Sequence, residues 1–168
     1  MKIKLWVNLC LISFVLGLIS CNNEKSPAPE VNNTDLIEIE FLKEGELSLI
    51  NNSDVIKELD IEIAKSENER AIGLMNRSKL EENQAMLFIF EQDNSSGFYM
   101  KDTRIPLDII FLGADSTVIS ISKNRRPFDL NSEGASSPYR FVLEINGGKS
   151  DDWGIEEGVT KIHWTETR

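Results

Sequence analysis

The sequence is poor in the side chains that bind soft metals: it holds two cysteines and one histidine in 168 residues. A zinc site assembled from cysteine and histidine clusters is excluded, and so is a disulfide-rich scaffold. Basic residues are also scarce, 18 against 28 acidic ones, for a net charge of −10. A phosphate backbone is held by neutralising it with Lys and Arg, so no nucleic acid is expected as a partner. The same deficit argues against electrostatic attachment to an anionic bilayer. None of the common catalytic or cofactor-binding motifs occurs, and neither a cofactor nor a metal is expected. The length suits one domain of ordinary size.

What the sequence does have is an address. Lys2 and Lys4 precede an apolar run from Leu5 to Ile19, the layout of a secretory signal over residues 1–20. The run ends Leu18-Ile19-Ser20-Cys21, which resembles the lipobox of bacterial lipoproteins. That resemblance implies cleavage before Cys21, diacylation of its sulfur and usually acylation of its new amine. Cys10 would leave with the signal and Cys21 would carry lipid, so the mature chain would have no free thiol. The expected setting is outside the cytoplasm, with the membrane held through lipid chains; several acyl chains give stable anchoring where one does not. Asn22 follows the cysteine, so the aspartate that would resemble an inner-membrane retention signal is lacking. The polar stretch to residue 35, with Pro27 and Pro29, reads as a flexible tether.

Residues 36–168 read as one mainly β domain, a sandwich or barrel-like fold with one or two short helices. Ile37, Ile39 and Phe41 alternate with polar neighbours, and a turn at Glu44-Gly45 leads to Leu47–Ile50, suggesting a hairpin. A strand fits 59–64. Ser66 and Glu69 have capping-box spacing ahead of a short helix through Arg70–Met75, interrupted by Gly73. Ala85–Phe90 is a continuous apolar run, read as a strand buried on both faces. Asp93–Gly97 reads as a turn before a strand at Phe98–Met100. Leu107–Leu112 should pair with Val118–Ser122 across a turn at 113–116. Residues 125–138 look like loop, 141–145 like strand, 147–154 like a short helix and 160–164 like a closing strand. No βαβ alternation is evident.

Several blocks resemble one family. Arg70-Ala71-Ile72-Gly73-Leu74-Met75-Asn76-Arg77 is similar to an R-x-x-G-L-M-x-R signature. Met86–Phe90 resembles a G-M-L-F-x-F strand, Phe98–Phe111 an F-W-M-K-N-T-x-x-P-L-D-I-x-F core, and Tyr139–Glu144 a Y-V-L-E block. Together, over roughly residues 55 to 165, these resemble the family known as domain of unknown function 192. The resemblance implies a compact β-rich domain, often exported, and no established reaction. Ala85 stands where the family usually has glycine and Asp102 where it usually has asparagine. Asn146 replaces a small residue, and Glu157-Gly158 inverts a common pair. Asp102 replaces an amide that can donate with a carboxylate that only accepts.

Polar side chains crowd between the two apolar strands around Pro106. Lys101, Asp102, Thr103, Arg104 and Asp108, with Arg70 and Arg77 from the GLM segment, could line a pocket for a small polar ligand, since loops on a rigid scaffold are common sites. The competing expectation is internal stapling, in which the arginines pair with the aspartates. Asp102 and Asp108 could also serve a hydrolase-like enzyme as a carboxylate pair. A third reading is a structural protein that docks an envelope partner through loop 125–138, with Arg125, Arg126 and Phe128 as anchors. His163 shares a strand face with Lys161, opposite Ile162 and Trp164, and reads as structural or surface. Met75, Met86 and Met100 could suggest copper(I) ligation, but beside Leu and Phe they read as core. The leading expectation is a lipid-anchored, non-catalytic binding or envelope-accessory domain.

Overall fold

A computed structural model describes residues 38–167. The signal at 1–20, Cys21, the tether and the first residues of the expected strand at 37–41 lie outside the described residues. The described chain is mainly β. Strands β1 (Gly45–Asn51), β2 (Asp54–Ala64), β3 (Gln84–Asn94), β4 (Leu107–Leu112), β5 (Val118–Arg125), β6 (Tyr139–Asn146) and β7 (Lys161–Glu166) form one sheet of order β5-β4-β6-β3-β2-β1-β7. Two short helices complete it, α1 (Glu67–Ile72) and α2 (Lys149–Asp152).

The sheet is open but curls. At one end its outer strands meet: the Val118 N–H donates to Thr160 O (2.9 Å) and the Ile162 N–H to Ser116 O (3.1 Å). Period-two alternation then sorts the side chains. Leu47, Ile61, Leu87, Ile110, Val118, Leu143 and Ile162, one from each strand, share a single core inside the curl. The opposite face of β3, β6 and β4 carries Phe88, Val142, Ile109 and Phe111, and is covered by Leu74, Met100 and Ile105 from the connecting loops. The middle strands are thus buried on both faces, which explains the unbroken apolar runs of β3 and β4.

Four local expectations change. Residues 38–44 form no strand. Carboxylates substitute there for a ladder, with the Ile63 N–H donating to Glu44 Oε2 (2.7 Å) and the Leu42 N–H to Glu62 Oε1 (2.6 Å). The hairpin is instead β1–β2, turned at Asn52 and Ser53, both at positive φ as a tight type I′ turn requires. β2 and β3 run parallel, so α1 and the loop after it form a crossover connection despite the shortness of the helix. Phe98 makes only an isolated bridge to Glu133 rather than starting a strand.

Candidate functional site

The segment that crosses from β2 to β3 builds one wall of a pocket. The capping box forms: Ser66 Oγ accepts from the Glu69 N–H (3.2 Å) while the Glu69 carboxylate accepts from the Ser66 and Lys65 N–H groups (2.8 and 2.9 Å). Those backbone donors hold the Glu69 carboxyl below its ordinary value. The helix stops at Ile72 rather than running to Met75, because Gly73 takes φ +48° and a side chain there would press on the Phe88 ring at 3.1 Å. The chain then drops Leu74 into the core and is tied to the loop opposite, where the Asn76 N–H donates to Asp102 O (2.8 Å). Asn76 and Asp102 both sit at positive φ, a conformation that Asn and Asp tolerate best among residues with side chains.

Between this wall and residues 96–103 lies a cavity of about 400 Å³. Five aromatic rings line it, from Phe88, Phe90, Phe98, Tyr99 and Tyr139. Four of them interlock edge to face, with Phe88–Phe98 centroids 5.2 Å apart and Phe90–Tyr139 5.4 Å. The Tyr139 hydroxyl donates to Ser96 O (2.6 Å), and burial pushes its pKa up to about 12. Arg70 stands at the wall with its guanidinium 4.8 Å from the Phe90 ring centroid. Its Nη1 donates to the carbonyls of Lys65 and of Ile89, the latter at 3.1 Å. From the sheet beneath comes Glu144, only 6% exposed, in register between Met86 and Ile109. Burial alone pushes its carboxyl up to about 8; no hydrogen bond or neighbouring charge among the described residues offsets it.

The expected polar cluster does not converge. Of its seven members only Arg70 and Thr103 line the cavity. Arg77 is buried against Glu62 (2.6 Å), each about 6% exposed, and reaches Glu40 O. Asp108 is fully buried and accepts from three backbone N–H groups, those of Asn124 (2.6 Å), Gly148 (2.9 Å) and Ser150 (2.8 Å). It therefore welds β5 and the start of α2 to β4. Asp102 and Lys101 are exposed on their turn, so the two aspartates of the enzyme reading occupy unlike settings. Arg104 clips the GLM loop through Ser78 and Asn76 and faces Glu38 at 3.8 Å.

The loop reading is corrected in the same way. Arg125 is an internal tie, 5% exposed, bridging Glu133 (2.6 Å) and the Asn131 carbonyl (2.7 Å). Arg126 and Phe128 do face solvent. His163 is exposed and Met86 and Met100 are buried in the core. Glu144 and the aromatic lining escaped sequence reasoning. Their signal was present: in Val142-Leu143-Glu144-Ile145 a carboxyl interrupts a strand that is otherwise apolar on both faces.

No curated protein matches the sequence. A solved protein of unknown function from Novosphingobium aromaticivorans DSM 12444 is 35% identical, with TM-score 0.67, over 71% of this chain and 84% of its own. A second, from Sinorhizobium meliloti 1021 and described as a candidate transcription regulator, is 30% identical, with TM-score 0.69, over 76% of this chain and 97% of its own. The model for domain of unknown function 192, described as an uncharacterized ACR, matches residues 48–163, which takes in all of α1, the aromatic wall and Glu144. On that match, and on the agreement of both folds, this chain belongs to the domain of unknown function 192 family.

Proposed function

We propose that this protein is an exported lipoprotein, anchored through Cys21 and a tether, whose β-rich domain binds a small amphipathic molecule in the aromatic cavity. The signal-like start and the lipobox resemblance support the address. One observation carries the binding reading: Glu144 is a buried carboxyl without a partner among the described residues, and it lines a cavity walled by rings. A buried carboxyl of this kind costs stability, and such groups concentrate at functional sites. Near neutral pH it is mostly protonated and offers a hydrogen-bond donor to a pocket lined largely by rings. Binding is favoured over catalysis because Asp102 and Asp108 do not face one another across a cleft, and Asp108 is fully occupied by backbone donors. The net charge of −10 gives no support to nucleic-acid binding, and nothing in the pocket bears on the transcription-regulator description of the Sinorhizobium relative.

Two measurements test this. Palmitate labelling should mark the wild-type chain and not Cys21→Ala; label retained in the variant contradicts the anchor. Thermal unfolding of the lipidated protein in nanodiscs, against a panel of small aromatic and aliphatic amphiphiles, should yield a ligand that stabilises by about 2.7 kcal/mol at roughly 100 times its Kd. Glu144→Leu should lose that shift while remaining folded. A shift that survives Glu144→Leu places the ligand elsewhere.

A further inference from the structure

The cavity lining carries two groups of unlike charge, Arg70 and Glu144, and that difference selects a class of ligand. Of the arginines among the described residues, Arg77, Arg104, Arg125 and Arg140 each face a carboxylate within 4 Å. Arg126 faces none but lies on an exposed loop. Arg70 is partly buried, lines the cavity and has no carboxylate within 4 Å among the described residues, although its charge is felt by the neighbouring Glu69. Its Nη1 is committed to two carbonyls, which fixes the guanidinium in place against Phe90 while its remaining N–H groups have no bond of their own among the described residues. Glu144 likewise has no hydrogen-bond or charge partner among the described residues. We infer, on the footing of the pocket reading above, that the site takes an anionic amphiphile, an aromatic or short-chain carboxylate. Its apolar body lies among the rings, its carboxylate sits on Arg70, and an acceptor at its far end meets the Glu144 hydroxyl.

Charge and chemistry agree on this polarity. A guanidinium is suited to a carboxylate because its donors form a fork that matches the two oxygens. An ammonium ligand would be repelled by the Arg70 guanidinium, whereas an anion keeps Glu144 in its protonated, donating form. The other titratable groups facing the cavity are Glu67, exposed on α1, and the tyrosines Tyr99 and Tyr139. Glu67 carries the same sign as the ligand, but its exposure lets solvent screen it. Removing it should tighten carboxylate binding slightly.

Calorimetry on the lipidated protein in nanodiscs, with empty nanodiscs as blank, tests the inference using 3-(4-hydroxyphenyl)propanoate, its primary amide and the corresponding amine. The carboxylate should bind about tenfold more tightly than the amide. Arg70→Gln should erase that ratio and Arg70→Lys should keep part of it. Because Arg70 also braces the wall, the wild-type pH profile supplies a second readout. Carboxylate affinity should fall as pH rises through about 8, as Glu144 ionises against the anion, and more steeply than amide affinity. Equal binding of acid and amide, or preference for the amine, overturns the anionic assignment and leaves the pocket reading standing. Binding of none of the three overturns both.

Discussion

Asp108 and Glu144 are both buried carboxyls on neighbouring strands, Asp108 opposite Ile145 and Glu144 opposite Ile109. They lie on opposite faces of the sheet, and their surroundings could hardly differ more. Asp108 collects three backbone N–H groups from two other elements, so its burial is compensated and it knits β4, β5 and α2 together. Glu144 collects nothing among the described residues and faces a cavity. The arginines repeat the contrast, with Arg77 locked to Glu62 and Arg70 left at the cavity wall without a carboxylate. Burial of a charge-bearing group therefore has two meanings in this fold. Where partners surround it, the group is a structural joint; where they are missing, our proposal is that it serves a ligand.

The largest effect should come from the uncompensated group. The folded-state pKa of Glu144, about 8, exceeds the ordinary carboxyl value of 4.5, so folded protein holds this proton more tightly than unfolded chain. The associated stability is fully present below the unfolded value and is lost as pH rises through the folded one. Relative to wild type, Glu144→Leu should thus gain on the order of 4 kcal/mol at about pH 9 and little below about pH 4, read by urea unfolding across that range. A pH-independent difference would dissolve the contrast with Asp108. Asp108→Ala should act in the opposite direction, costing about 3 kcal/mol because three backbone donors, that of Ser150 buried, lose their acceptor; a cost under about 1 kcal/mol would mean water takes its place. Arg77→Ala should cost about 3 kcal/mol by stranding Glu62. Arg125→Ala should cost about 1 kcal/mol, since Glu133 is half exposed and water can solvate it. Equal melting temperatures for these two would show that exposure of the partner is not what sets the cost.

Much of the fold was legible because the middle strands are buried on both faces and write unbroken apolar runs, as in Ala85–Phe90 and Leu107–Leu112. The helix start was legible too, through Ser66 and Glu69, whose reciprocal bonds are local. Long-range choices were not. Alternation at Ile37, Ile39 and Phe41 suggested a strand, yet the Glu44 carboxylate accepts from β2 at Ile63 and the Glu62 carboxylate of β2 accepts from the Leu42 N–H, exchanges that no period reveals. The parallel pairing of β2 with β3 hid behind a six-residue helix. At the site, counting polar residues near Pro106 drew attention to groups whose charges are satisfied internally or by water. The informative residue was the lone acid within an apolar strand, and only the fold shows that Glu62, in a similar pattern, has Arg77 while Glu144 has no one.

The most direct measurement is a carbon-detected NMR titration of the Glu144 carboxyl in the ligand-free protein, with Glu144→Gln to assign the resonance. A midpoint near pH 8 is expected. A midpoint near the ordinary 4.5 would mean that a cation or water compensates the carboxyl, and Glu144 would then be one more structural joint like Asp108.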